Sequence, residues 1–281
     1  EERKIKMKVL TNLLKFILIM ILTICMTAIG IITIAFSTVL NKDYVEQKLE
    51  ETDFYSGLYK LVESNFENYI YQSGLDEDVL KDICSQDKVK SDINIMLANI
   101  YEGTNKKIDT TEISQNLNAN IDKLNIKNTQ NSSAINEFVK HICQEYTDTL
   151  VHSKYESEIN RIYKKGTNIL NEIYKISLVV LTIDGIVILI INKKKISKDF
   201  QHWGIALMAT SAFEIISCQI ISSKVNIKGI KIFNDIFSNS LVTIIQDVLN
   251  KINSLALGTC IIAIILLGIY VSIKVNKKTK E

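Results

Sequence analysis

The chain has 281 residues, with 33 Lys and Arg against 31 Asp and Glu, a net charge of +2, and no proline. That near-neutral total hides a division, because residues 41–172 carry 15 basic and 23 acidic side chains (net −8) and the rest carry 18 and 8 (net +10). An acidic middle excludes nucleic acid as a partner, since phosphate binding needs a basic face. Average usage would place about 14 prolines in this length. Their absence, with the weight of Ile, Lys and Asn, reflects an AT-rich codon bias. It also means that no helix is kinked by proline, which argues against the interrupted spans used by many transporters.

Four long apolar runs punctuate the chain. Residues 1–15 are a basic N-terminus carrying Arg3, Lys4, Lys6, Lys8 and Lys15. Residues 16–40 hold no charge and are long enough to cross a bilayer core, which takes about 20 residues. A cleaved signal peptide is the alternative reading. Its apolar part would run only about 7–15 residues, and Ala35-Phe36-Ser37 is a poor cleavage match, so an uncleaved span is expected. Residues 41–175 are polar. A second run, 176–192, is broken by Asp184, and a third, 204–223, by Glu214. The fourth is 252–273, followed by a basic tail, 274–281. The expectation is an all-α, four-pass transmembrane protein with an extracytoplasmic helical-bundle domain between spans 1 and 2.

Orientation follows from the basic residues, because short Lys- and Arg-rich loops stay in the cytoplasm. The N-terminus, the 193–203 loop with Lys193, Lys194, Lys195 and Lys198, and the tail with Lys274, Lys277, Lys278 and Lys280 all fall on one side if there are four crossings. Both termini are therefore expected in the cytoplasm, with 41–175 and the 224–251 loop outside. Lys224, Lys228, Lys231 and Lys251 soften that contrast without reversing it. The basic flanks suit an anionic inner leaflet.

Within 41–175 the period is helical. Val45 and Leu49 follow the first run with no breaker, so span 1 is expected to project outward as a rod. Tyr55, Leu58, Val62, Phe66 and Tyr69 recur at three- and four-residue steps. Gly74 is a stop, and Asp76 starts a helix over 77–84. Ser85 caps a helix carrying Val89, Ile93, Met96, Leu97 and Ile100 that ends near Gly103. Asp109 to Glu112 has capping-box spacing and leads to Ile113, Leu117, Ile121 and Leu124. Residues 126–132 read as a loop, and Ser132 precedes Ile135, Phe138, Val139 and Ile142. The last helix, about 154–192, carries Tyr155, Ile159, Ile162, Ile169, Leu170 and Ile173 straight into span 2, with Gly166 its one weak point. Residues 224–251 form an amphipathic helix. Phe233, Phe237, Leu241, Ile244, Val248 and Ile252 oppose Asn234, Asp235, Ser238 and Asp247, and packing under the outer domain is expected rather than lying on lipid.

Cys25, Cys218 and Cys260 sit in apolar runs as small hydrophobes. Cys84 and Cys143 are the two cysteines of the outer domain. They form either a disulfide, favoured by an exported location, or a pair of buried free thiols. A metal site from Cys84, His141, Cys143 and His152 is disfavoured, because His141 and Cys143 point to different faces of a helix. No cofactor is expected.

Asp184 and Glu214 are the only candidates for chemistry. Each sits midway along its run, and a charge at bilayer centre is costly. The functional reading is a shared-proton pair or cation site, lined also by Ser211, Ser217, Gln219, Ser254 and Thr259. The plainer reading is two protonated acids that bond a neighbouring helix or a partner protein. Trp203, beside His202, reads as an interface anchor. No phosphate-binding glycine loop, HExxH, GxSxG or CxxC is present, and no nucleophile–base pair marks an intramembrane hydrolase.

Tyr44-Val45 with Leu49, then Gln72-Ser73-Gly74-Leu75, then Val89, Asp92-Ile93, Tyr101-Glu102-Gly103 and Ile108-Asp109 form a pattern over roughly residues 40–125. It resembles uncharacterised multi-pass membrane proteins of AT-rich Gram-positive bacteria. That resemblance implies the topology and no activity. The functional expectation is a non-enzymatic cell-membrane protein whose outer domain meets an unknown ligand or partner, its spans docking to another membrane protein. The alternative is a small proton- or ion-coupled transport subunit using Asp184 and Glu214.

Overall fold

The structure is a computed structural model that describes residues 2–73, 75–124, 132–150, 153–192, 195–224, 226–229 and 234–279. Among these it has nine α-helices and no β-strand. They are α1 (Glu2–Ser37), α2 (Lys42–Glu51), α3 (Phe54–Ser73), α4 (Gln86–Tyr101), α5 (Thr111–Lys123), α6 (Ser132–Leu150), α7 (Ser153–Ile191), α8 (Ile196–Lys224) and α9 (Asp235–Lys278). Stretches of α1, α7, α8 and α9 are long and apolar enough to cross a membrane: Ile5–Ser37, Glu158–Ile191, Ile196–Lys224 and Asp235–Lys277. The third and fourth contain their apolar runs, the first stops at Ser37, short of the run's end at 40, and the second stops at Ile191, one residue short of 192. The chain divides into two compact units, a helical domain (Asn41–Gly166 with Lys231–Thr243) and a span unit (Glu1–Leu40, Thr167–Ile230 and Ile244–Glu281).

Span 1 does not continue as a rod. α1 stops at Ser37 because Thr38 bonds back to the Ile34 carbonyl and the Leu40 amide reaches the Ala35 carbonyl at 2.9 Å. Asn41 then caps α2, its side chain accepting from the Tyr44 amide at 3.3 Å. β-Branched Thr38 and Val39 ahead of an Asn cap were the local signal for this break.

The core of the helical domain follows the expected stripes. Phe54, Tyr55, Leu58, Val62, Phe66 and Ile70 line one face of α3, each almost wholly buried. They meet Val89 and Ile93 of α4, Ile113, Leu117 and Ile121 of α5, and Ile135, Val139, Ile142 and Tyr146 of α6. The helix expected over 77–84 is only a 3-10 turn, Glu77–Leu80. Asp82 takes a left-handed φ of 54°, which ends helical continuation. Asn120 of α5 donates to the Val79 and Lys81 carbonyls at 3.1 and 2.7 Å, in place of the backbone amides a further turn would have supplied. Ser85 caps α4 as its position suggests, its hydroxyl accepting from the Lys88 amide at 3.1 Å. Beyond it Gly103 adopts φ 70°. At α5, Asp109 accepts from the Thr111 amide at 2.9 Å, and the capping residue Thr110 makes no side-chain bond. The loop expected over 126–132 lies almost wholly outside the described residues, as do Gly74, His152 and Phe233.

The amphipathic segment after span 3 is not a separate helix. A 3-10 turn at Ile227–Gly229 precedes it, and α9 runs unbroken from Asp235 through Ile252 to Lys278. Its first turns belong to the helical domain. Asn234 accepts from the Ile236 and Phe237 amides at 3.0 Å. Phe237 meets Phe54 edge-on at 4.9 Å, and the Ser240 and Thr52 hydroxyls share a 2.8 Å hydrogen bond. One domain is thus built from the polar segment after the first apolar run and the polar segment after the third.

In the span unit, α1 and α8 lie side by side. Thr210 of α8 donates to the Thr23 carbonyl at 3.4 Å, and Leu18, Leu22, Ile188 and Ala206 form a small core. α7 joins through Ile188 and through Gly185, where an added Cβ would stand 3.2 Å from the Trp203 ring. α9 joins α8 at Gly204, where a Cβ would meet Leu267 at 2.8 Å. Small residues at these crossings let helices approach without a water-driven core.

Candidate functional site

The two intramembrane acids sit in different walls of the span unit. Glu214 of α8 is 1% exposed and faces α1 and α9. A Cβ on Gly30 of α1 would lie 3.1 Å from its Oε1 and 2.9 Å from Leu255 Cδ2 of α9, so glycine reserves the space that the carboxyl fills. Neither Glu214 oxygen has a hydrogen-bond partner among the described residues. Asp184 of α7 is 4% exposed, and its Oδ2 is likewise unpartnered. No hydrogen bond or ion pair joins the two acids, so the structure does not assemble them into one shared-proton pair.

The companions expected around them do not converge either. The Ser211 hydroxyl is engaged with the Ala256 carbonyl at 2.8 Å, fastening α8 to α9 one turn before Glu214. The Thr259 hydroxyl donates to the same Ala256 carbonyl at 2.9 Å. Ser254 bonds its own helix, and both Ser254 and Gln219 are exposed. What remains is two separate buried carboxyls. A thiol lies within electrostatic reach of each, Cys25 of Asp184 and Cys218 of Glu214.

A polar cluster that the sequence did not reveal lies near the basic loop. The Lys15 ammonium donates to Asn192 Oδ1 at 3.0 Å, and Asn192 Nδ2 donates to Asp199 Oδ1 at 2.7 Å. His202 Nδ1 lies 3.2 Å from that amide and bonds the Lys198 carbonyl. Asn192, Asp199 and His202 are all buried. Lys15 and Asn192 are 177 residues apart, and no local spacing links them. The cluster ties α1 to the end of α7 and the start of α8. Trp203 beside it packs half-buried against Gly185, which makes it a helix-packing residue as well as one placed for the interface.

In the helical domain, Cys84 and Cys143 are free, partly buried thiols. Cys84 Sγ lies 3.6 Å from the Ser85 carbonyl and Cys143 Sγ 3.9 Å from the Thr110 carbonyl. Burial pushes the Cys84 thiol up to about 11 and raises Cys143 as well. Both are poor nucleophiles there. Among the described residues no group of three His, Cys, Asp or Glu is placed to hold a metal, and His141 is exposed. A buried carboxylate of this domain is Asp92, 2% exposed, which accepts from Lys88 Nζ at 2.5 Å and from the Tyr146 hydroxyl at 2.6 Å. Burial, then that bond to Asp92, raises the Tyr146 phenol. Asp92 and Tyr146 are fully matched and lie away from any opening, so they organise the core.

The fold and these sites define an all-helical protein with four helices of membrane-spanning length, a separate helical domain and two isolated buried acids. No family model, curated protein or solved structure matches this chain.

Proposed function

We propose that this chain is a non-enzymatic integral protein of the bacterial cell membrane, both termini cytoplasmic, whose extracytoplasmic helical domain meets a ligand or protein partner. One observation carries the topology. The helical domain draws on residues of 41–166 and of 234–243. Segments that share one packed core stand on the same side of a membrane. Spans 2 and 3 separate these two segments, so they share a side when both of those spans cross, as they do in a four-pass arrangement. The basic residues place the opposite side in the cytoplasm. The lack of any assembled nucleophile, base or metal group among the described residues directs the reading toward binding rather than catalysis. The lipid bilayer is the first partner, and a second membrane protein is the expected recipient of any signal.

Purification of the full chain in mild detergent after cross-linking on intact cells tests this reading. The expected result is a specific adduct formed through lysines of the helical domain, such as Lys60 or Lys140. Adducts confined to Lys195 and Lys277 would reverse the orientation and overturn it.

A second reading is a small proton- or ion-coupled transport subunit. The unmatched oxygens of Asp184 and Glu214 favour it, since unpaired acids at membrane depth mark proton or ion paths. Substituting Asp184→Asn and Glu214→Gln separates the two readings. Loss of ion flux supports transport. Unchanged flux with altered complex formation removes it.

A further inference from the structure

α7 carries an apolar row that its own chain leaves largely exposed, although Val187 packs against the small core of Leu18, Leu22, Ile188 and Ala206. Ile159, Gly166, Ile173, Val180 and Val187 recur every seven residues. Ile162, Ile169, Ile176, Ile183 and Ile190 recur every seven residues, offset by three. Together they step three, four, three, four along a single unbroken helix, Ser153–Ile191. This is the a/d pattern of a coiled coil, held for about five heptads. The d-position isoleucines are 48% to 69% exposed, and Ile159 and Ile173 are 41% and 42% exposed. The helix meets its own chain on a different face, through Ser177, Asp184 and Ile188, all buried.

Lipid accounts for part of this row and not for the rest. A lipid-facing surface must be apolar, but it needs no seven-residue period. Ile159 to Ile173 also come before the apolar run at 176–192, among Arg161, Lys164, Lys165 and Lys175. There the row faces water, where a strip of half-exposed isoleucines is an interaction surface. The same register then continues into the span.

We infer that α7 is a self-association seam, covered by α7 of further copies of this chain in a parallel, in-register coiled coil. The membrane selects this occupant. Copies inserted with one topology present α7 in the same direction and at the same depth, so each isoleucine layer meets its own equivalent. Charge agrees with that alignment. In a parallel pair, Glu158 and Lys165 at g stand opposite Tyr163 and Leu170 at e, so no like charges are opposed in the stretch before the apolar run. The half-exposed isoleucines offer roughly 600 Å² per copy, close to the ~800 Å² that each partner gives to a stable interface. β-Branched residues at both a and d favour more than two strands. Gly166 leaves one layer open, since an added Cβ there meets nothing within 4 Å.

The inference rests on the membrane reading, because parallel alignment comes from common insertion. Single cysteines in the full chain test it: Ile162→Cys and Ile169→Cys at d, and Lys164→Cys and Asn168→Cys on other faces. Membranes are isolated, the chain is confirmed in the membrane fraction, and mild oxidation is followed by non-reducing electrophoresis. The unsubstituted chain sets the background from Cys84 and Cys143. The seam predicts disulfide-linked chains several-fold above background at Ile162→Cys and Ile169→Cys, with the other two near background. Equal cross-linking at all four positions, or none above background, overturns the seam while the membrane reading stands. Absence of the chain from the membrane fraction overturns both.

Discussion

In the helical domain large apolar side chains, Phe54, Leu58, Phe66 and Ile142, fill the interior, and the buried carboxylate Asp92 is met by Lys88 and Tyr146. The span unit differs. Many of its large apolar side chains face outward, as at Ile183, Phe213, Ile261 and Ile264, while Ala206, Ala256, Ala263, Ser211, Asp184 and Glu214 lie within beside Leu18, Leu22 and Ile188. The proposed membrane placement accounts for the contrast as one of solvent. Water drives large apolar groups inward, whereas lipid supplies no such force and leaves close approach of small residues to hold helices together. It follows that a buried carboxyl has different meanings in the two units. Asp92 organises a core. Glu214, with neither oxygen bonded, fastens no neighbouring helix by a hydrogen bond.

Truncation of equally apolar residues sharpens the contrast most. Phe54→Ala, removing a 2%-exposed ring that contacts Phe237, should cost about 3–5 kcal/mol in the thermal unfolding of the helical domain. Ile261→Ala, at 60% exposure on α9, should shift unfolding in mild detergent by less than about 1 kcal/mol. Equal losses would break the comparison.

The acids give a smaller and opposite pair of effects. Tyr146→Phe takes a donor from buried Asp92 and should cost about 1–3 kcal/mol. Glu214→Leu replaces an unmatched carboxyl with an apolar group and should leave the melting temperature unchanged or raised. A large loss on Glu214→Leu would show that the carboxyl is structural.

A pH titration probes the helical domain alone. The Cys84 thiol is neutral in the fold and pushed up from 9 to about 11 by burial. A group whose folded value is raised stabilises fully below its unfolded value and loses that contribution as pH climbs through the folded one. The domain should therefore hold its stability up to about pH 9 and lose part of it toward pH 11, and Cys84→Ala should flatten that decline. Its thiol should also resist alkylation at pH 8 until the chain unfolds. The smallest expected effect is at Gly166, where alanine meets open space and should raise stability by about 0.5–1 kcal/mol through helix propensity.

Much of this architecture was legible in the sequence because it is local. Uncharged length sets a span, and the steps from Tyr55 to Phe66 set a buried helix face. What escaped depended on partners distant in the chain. The 77–84 helix failed because Asn120 captures the carbonyls of Val79 and Lys81. Lys15 meets Asn192 only once α1 and α7 are side by side. The stripe on α7 was visible, but periodicity cannot say which apolar face its own chain leaves bare. Asp184 and Glu214 were found by their cost in lipid, and their separation needed three-dimensional placement.

The central claim is that 41–166 and 234–243 lie together outside the cell, with the basic loop and tail inside. Single cysteines at Ser91 and Asn239, and at Lys195 and Thr279, can be challenged on intact cells with a membrane-impermeant maleimide. The account predicts labelling of Ser91→Cys and Asn239→Cys above the unsubstituted chain, and labelling of Lys195→Cys and Thr279→Cys only after permeabilisation. Labelling of Ser91→Cys without Asn239→Cys, or of Thr279→Cys on intact cells, would contradict it.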